Sequence, residues 1–296
     1  MDLLPLHCSP AGFFFATSVH EPPPMLMLSS VRPRSFVLLV AGLFLLTGCG
    51  GGQENGGVQI EKGDRSPAIE GAKALITAPA DSAVLDSPNV QVTVDANNFD
   101  TGVQTDTERA QEIANSGNGQ HFHLILDNGP YMANYEAGEP FDIGELEPGA
   151  HTLFAFPSRS YHESVKSDTS YAVVNFYVGE ESGEFMLNPD DRAIIYSRPK
   201  GTYSGDGAEK IMLDFYLHNV ELGSDGYKAK YTIRSEDNEV ASITLTEWTP
   251  AFVTGLSSGT YEVNLQLLDA DGNVVPGPFN DTTREITVET DNGQSS

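Results

Sequence analysis

The sequence predicts an all-β fold built as two tandem sandwiches, and three observations lead there. From residue 73 onward, short runs of β-branched and aromatic residues alternate with polar ones and are separated by Gly, Pro, Asn and Asp clusters, which is the period-two signature of strands joined by turns. The chain also repeats itself: Leu146-Glu147-Pro148-Gly149-Ala150-His151, running into a strand, matches Leu256-Ser257-Ser258-Gly259-Thr260-Tyr261, running into another. Finally, the only cysteines, Cys8 and Cys49, precede the patterned region, so an apolar core and not a disulfide framework must hold it together. Two copies of about 100 residues with this strand density imply immunoglobulin-like or fibronectin-like sandwiches, and Tyr261 at its strand start has the placing of a tyrosine corner.

Along the chain, residues 1–24 read as sequence upstream of the true initiator, Met25 or Met27, because they push the basic segment Val31-Arg32-Pro33-Arg34 far from the start. Residues 25–48 then form a signal peptide: that basic segment is followed by the apolar run 36–46, shorter than the ~20 residues a membrane-spanning helix needs. It ends in Leu46-Thr47-Gly48-Cys49, which resembles a bacterial lipobox and implies lipidation at Cys49. Gly50 stands where an acidic inner-membrane retention signal would be expected, so the expected place is the outer membrane of a bacterial cell envelope. Residues 49–71, rich in Gly and polar side chains, read as a flexible tether. The first sandwich is expected over 72–180 with an insertion at 95–120 that contains a helix at 107–115, and the second over 184–290. The clearer strands are 90–94, 121–126, 151–156, 171–178, 211–217, 228–233, 243–246, 261–268 and 284–288.

Alternation assigns faces. Phe122, Leu124 and Leu126 fill the first core, which turns His121, His123 and Ile125 outward; Ala172, Val174, Phe176 and Val178 do the same for Tyr171, Val173, Asn175 and Tyr177. Alignment of His151 with Tyr261 places His151 inward at the corner, and Phe154 and Phe156 then join the outward face. The first sandwich thus presents a nearly uncharged His/Tyr/apolar face in a chain with 42 acidic and 16 basic residues and a net charge of −26. Such a face meets something. Two outcomes are open: a partner docks on it, or the insertion 95–120 folds over it.

The same acidity excludes nucleic acid as a partner. Of the basic residues present, Arg159 in Ser158-Arg159-Ser160-Tyr161-His162 and Arg198 with Lys200 in Ser197-Arg198-Pro199-Lys200-Gly201 are candidate receptors for carboxylate or phosphate; the alternative is that they neutralise neighbouring acids such as Glu163. His121 and His123 lie two residues apart on one strand face, and with His162, or with His151 in the other parity of its strand, they are candidate ligands for zinc or copper. The run Asp269-Ala270-Asp271-Gly272-Asn273 has the oxygen density of a calcium loop without the distal Glu, and reads as a hairpin turn. No Gly-x-Ser-x-Gly, His-Glu-x-x-His or P-loop motif occurs, so no enzymatic activity and no cofactor are expected beyond the possible zinc or copper.

Ala114-Asn115-Ser116-Gly117-Asn118-Gly119-Gln120-His121-Phe122-His123, the Ser158 to Ser164 segment and Tyr196-Ser197-Arg198-Pro199-Lys200-Gly201-Thr202-Tyr203 resemble a family of uncharacterised bacterial lipoproteins whose members are often labelled phosphopeptide-binding. The stretch from Leu256 to Asn273 is weakly similar to the end of copper-resistance CopC-like sandwiches, with Asn273 where those have histidine. The function expected from all this is a lipid-anchored, non-catalytic binding or scaffolding module. It would contact an envelope protein, a peptide or an anionic group through His121, His123, Arg159, Tyr161, His162, Tyr171, Tyr177, Arg198 and Lys200. A transition-metal site at His121, His123 and His162, and a purely structural envelope lipoprotein, are the alternatives.

Overall fold

The alternating runs form strands throughout residues 57–290, which are those the computed structural model describes; the upstream segment, the signal peptide and Cys49 lie outside them. A short strand β1 (Gln59–Lys62) comes first. The first sandwich contains β2 (Lys73–Ala78), β3 (Val84–Leu85), β4 (Asn89–Asn97), β5 (His121–Leu126), β6 (Met132–Asn134), β7 (Pro140–Glu145), β8 (Gly149–Ser158) and β9 (Ala172–Val178). The second contains β10 (Ala193–Arg198), β11 (Gly201–Ser204), β12 (Lys210–His218), β13 (Lys228–Ser235), β14 (Asn238–Leu245), β15 (Ala251–Thr254), β16 (Gly259–Leu268) and β17 (Asp281–Glu289), with one helical turn, α1 (Asp206–Glu209).

Each sandwich pairs a small sheet with a five-stranded one. In the first, β2-β4-β7 faces β3-β9-β8-β5-β6; in the second, β1-β15-β12-β10 faces β11-β17-β16-β13-β14. The repeat seen in sequence is a repeat of topology, because β3 runs parallel to β9 as β11 does to β17. Its corner is also repeated. Tyr261 Oη donates to Ser257 O at 3.0 Å, and His151 Nε2 donates to Glu147 O at 2.8 Å, with Nδ1 2.6 Å from the Asp127 carboxylate. Both rings close the loop back to the carbonyl four residues upstream, so a histidine does in the first sandwich what the tyrosine does in the second.

Four apolar clusters result, the smallest formed by Ile113, Tyr161, Met212 and Phe252. Phe122, Leu124, Leu153, Ala155, Val174 and Phe176 pack inside the first sandwich, and Leu213, Phe215, Tyr231, Val263, Leu265 and Ile286 inside the second. Another lies between them: Ile125, Tyr131, Phe154 and Phe156 of the first meet Leu187, Ala193, Ile195 and Tyr216 of the second. Phe156 stacks on Tyr216 at 4.6 Å between ring centres, and Phe154 on Tyr171 at 4.9 Å. Each large side chain so buried contributes roughly 1.5–3 kcal/mol.

Two expectations are corrected. Part of the tether is folded: β1 pairs with β15, Ile60 opposite Val253, and adds an edge strand to the second sandwich. Val58 and Ile60 pack against the second core while the backbone pairs with β15, so two apolar residues in a polar stretch suffice to fold it. The helix expected at 107–115 is a single 3₁₀ turn over Glu108–Gln111, whose Thr107 side chain makes no capping hydrogen bond. The insertion takes its order from tertiary contacts instead.

Candidate functional site

The uncharged face lies against the β10–β12 face of the second sandwich, which is the physical reason for its lack of charge. The insertion 95–120 does not cover it. Ile113 packs beside it with Tyr161, Met212 and Phe252, while Ser116 N donates to Ser160 O and Thr105 N to Ser160 Oγ. Contact with an outside protein, peptide or anion through this face is therefore corrected: His121, His123 and Arg198 are buried at the seam, and Arg159 and Tyr161 are buried apart from it.

The seam's polar centre starts from β5. Its alternation sends His121 and His123 to the same side, and Gly119 aims the next link. Gly119 has φ +85° and a Cβ there would lie 2.5 Å from Val103 O, so only glycine fits; its carbonyl then sits 2.9 Å from His121 Nδ1. A carbonyl can only accept, so this Nδ1 carries a proton and His121 Nε2 presents a lone pair. His123 Nε2 stands 3.1 Å from that nitrogen and His123 Nδ1 stands 3.0 Å from Ser197 Oγ of the second sandwich. With both imidazoles neutral, one arrangement satisfies every atom: Ser197 donates to His123, His123 to His121, and His121 to Gly119 O.

Burial keeps these rings neutral. It lowers His121 from 6.5 to about 4, helped by nearby Arg198, drives His123 well below its usual value, and takes His162 to about 2. Tyr131 stacks on His123 at 3.7 Å and Tyr135 lies 4.7 Å from His121. A register shift between Tyr196 and Arg198 bends β10 at this point. Arg198, buried, donates to Tyr131 Oη at 2.8 Å, and exposed Lys200 donates to Tyr131 O at 2.6 Å. Neither cation makes an ion pair with a carboxylate among the described residues.

The other expected residues are structural or lie apart. Arg159 donates to Pro67 O, and Tyr161 Oη is 2.7 Å from Ser66 Oγ. Neither neutralises Glu163, whose carboxylate accepts from Ser66 N at 2.9 Å, from Ser66 Oγ at 2.6 Å and from Arg109. Burial opposes charge on Glu163, yet Lys166, the Ser66 donors and Arg109 together hold its carboxyl below the usual range. Tyr171 lies at the far end of the seam, its hydroxyl 2.7 Å from His218 Nδ1. Tyr177 packs on Phe185 instead and does not join the cluster. The Asp269 to Asn273 run is a turn in which Asp269 Oδ1 accepts from Asn273 N at 2.8 Å.

Sequence reasoning missed the buried ion pair that crosses the seam. Lys166 of the first sandwich binds Asp214 of β12, with side-chain exposures of 2% and 0%, and Asp214 also accepts from Ser164 N at 3.1 Å. A signal existed: Asp214 interrupts the apolar run Ile211-Met212-Leu213-Asp214-Phe215-Tyr216-Leu217, and a lone carboxylate there requires a partner. Beside this pair lies an open groove of about 750 Å³ lined by Asp64, Arg65, Asp168, Glu221, Trp248 and Thr249. A hollow of about 410 Å³ adjoins it, and the two share Arg65, Lys166 and Ser167. Arg65 covers Trp248, 5.5 Å from its ring centre. Among the described residues no group of three or more His, Cys, Asp or Glu side chains is placed to hold a metal ion, so the expected set of His121, His123 and His162 is not one.

No family model matches the chain. No curated protein matches it either. Similar solved structures include the fibronectin(III)-like modules of Clostridium thermocellum CbhA, at 13% identity, 75% of this chain and 97% of that one, TM-score 0.25. Others are Bacteroides ovatus SGBP-B from a mixed-linkage glucan utilization locus, solved with a mixed-linkage heptasaccharide (10% identity, 74% and 71% covered, TM-score 0.21), and Parabacteroides merdae β-glucuronidase (8% identity, 74% and 24% covered, TM-score 0.23). The chain spans about a quarter of the glucuronidase.

Proposed function

We propose that the chain is a lipid-anchored, non-catalytic scaffolding or binding module of a bacterial cell envelope, in which the two sandwiches act as one rigid body. The seam carries this reading. The apolar face that would serve as a docking surface on a lone sandwich is used to join the two halves. The large hydrophobics left exposed among the described residues, Leu75, Val84, Val103 and Val274, are scattered along the chain. The surface offered outward is therefore acidic and polar, suited to holding a fixed spacing from a membrane or to polar contact at the groove beside Trp248.

Anchoring rests on the Leu46-Thr47-Gly48-Cys49 motif; no described helix is long and apolar enough to cross a membrane. Metabolic labelling with radioactive palmitate in a bacterial host tests it. The wild type is expected to take up label and sediment with membranes, and Cys49→Ser to lose both. An unlabelled, soluble wild type would overturn the anchoring.

A further inference from the structure

We infer that the groove beside Trp248 is a binding site for a neutral oligosaccharide, which deepens the reading of the chain as a non-catalytic binding module and rests on it. Three segments that only the closed seam brings together make the groove: Asp64 and Arg65 from the stretch after β1, Asp168 from the first sandwich, and Glu221, Trp248 and Thr249 from the second. Clefts between packed domains are where ligand sites preferentially form. The stretch after β1 is fixed at both ends, because Gly63 N donates to Pro250 O at 2.8 Å and Ser66 N to the buried Glu163 carboxylate at 2.9 Å. The groove's volume of about 750 Å³ continues into the hollow of about 410 Å³ through the shared Arg65, Lys166 and Ser167. That is room on the scale of sites that hold ligands of several rings.

The lining selects the class of ligand. Trp248, half-buried, supplies a flat apolar ring, the kind of surface on which the C–H face of a sugar rests. Around it stand three carboxylates in no ion pair among the described residues, those of Asp64, Asp168 and Glu221. Arg65 donates through Nε to Trp248 O, which leaves the terminal nitrogens of its guanidinium for a ligand. Charges of both signs in one groove oppose an ion of either sign, and an apolar ligand would take their water and return no hydrogen bond. Hydroxyl groups donate to the carboxylates and accept from the guanidinium, so a neutral polyol satisfies both. Thr249 is an independent observation: it is 7% exposed, lines the groove, and its hydroxyl has no hydrogen-bond partner, which costs free energy until something supplies one.

The test is titration of the full chain with cellohexaose, laminarihexaose and N-acetylchitohexaose, read by the fluorescence of Trp248, the single tryptophan. A saturable change with at least one of the three is expected, and none with pentalysine or pentaglutamate. Asp168→Ala/Glu221→Ala is the deciding variant. Both side chains are exposed and neither is in an ion pair, so the variant should melt as the wild type does and bind the sugar at least tenfold more weakly. Chromatography of the sugar after incubation keeps the site apart from the reading it rests on: an intact sugar agrees with both, and a shortened one would keep the site and end the non-catalytic reading. No saturable change with any of the three sugars, tighter binding of either charged peptide, or equal affinity in the folded double variant would overturn the site.

Discussion

Replacing Lys166 by Met is expected to lower the unfolding free energy by about 3–5 kcal/mol, because it leaves Asp214 as an uncompensated buried carboxylate. The pair lies wholly inside the protein, so solvent screening does little to soften the loss. Its position makes the loss global: Lys166 belongs to the first sandwich, Asp214 to β12 of the second, and Ser164 N–H shares the same carboxylate. Urea unfolding measures the effect. The double variant Lys166→Met/Asp214→Leu should recover part of it, since two apolar groups replace the pair and only the Ser164 N–H loses its acceptor. A single variant within about 1 kcal/mol of wild type would mean that the pair is not buried as described.

Acidification is expected to destabilise the protein from about pH 6.5 downward, before the carboxylates begin to titrate. Burial lowers His121 from 6.5 to about 4 and His162 to about 2, with His123 also well below its ordinary value. Below pH 6.5 the unfolded chain takes up protons that the folded chain refuses, so unfolding binds protons and the unfolding free energy falls as pH falls. The stabilisation is fully present above 6.5 and is lost toward each folded-state value. For His121 alone, a displacement of roughly 2.5 pH units corresponds to about 3 kcal/mol. The Glu163 carboxyl, held below its usual range, acts in the same sense at lower pH. Melting temperatures at pH 7.5, 6.5, 5.5 and 4.5 should fall steadily; a flat profile would place these histidines in water.

The sequence's alternation was sufficient for β5, β8, β12 and β16, though not for β10 or β15, whose core residues Ile194, Tyr196, Ala251 and Val253 lie in short runs, and the repeat around His151 and Tyr261 was sufficient for the duplicated topology. It was not sufficient for β1, β3, β6 or β11, which are only two to four residues long and pair along a neighbouring edge. Most of the His/Tyr/apolar face was legible, including the outward turn of Phe154 and Phe156, while Tyr177 packs on Phe185 apart from it. Its occupant was not, because Ile195, Ser197 and Tyr216 lie on strands whose two faces are both apolar, so period two cannot say which face looks where. The cations of the Ser158 to Ser164 and Ser197 to Gly201 segments stood out against the chain's acidity for a reason that composition hides: they hold carbonyls and phenols within the structure.

The central claim is that the two sandwiches unfold as one body because the seam is part of the core. Trp248, the single tryptophan, sits at its rim with its ring 4.9 Å from Tyr216 and its Nε1 donating to Phe215 O at 3.0 Å, so its fluorescence reports the seam while far-UV circular dichroism reports all the strands. Urea unfolding followed by both signals is predicted to give one transition with coincident midpoints. A fluorescence change complete before the strand signal moves, or a dichroism curve in two steps, would show that the sandwiches come apart before they unfold, and would contradict the account.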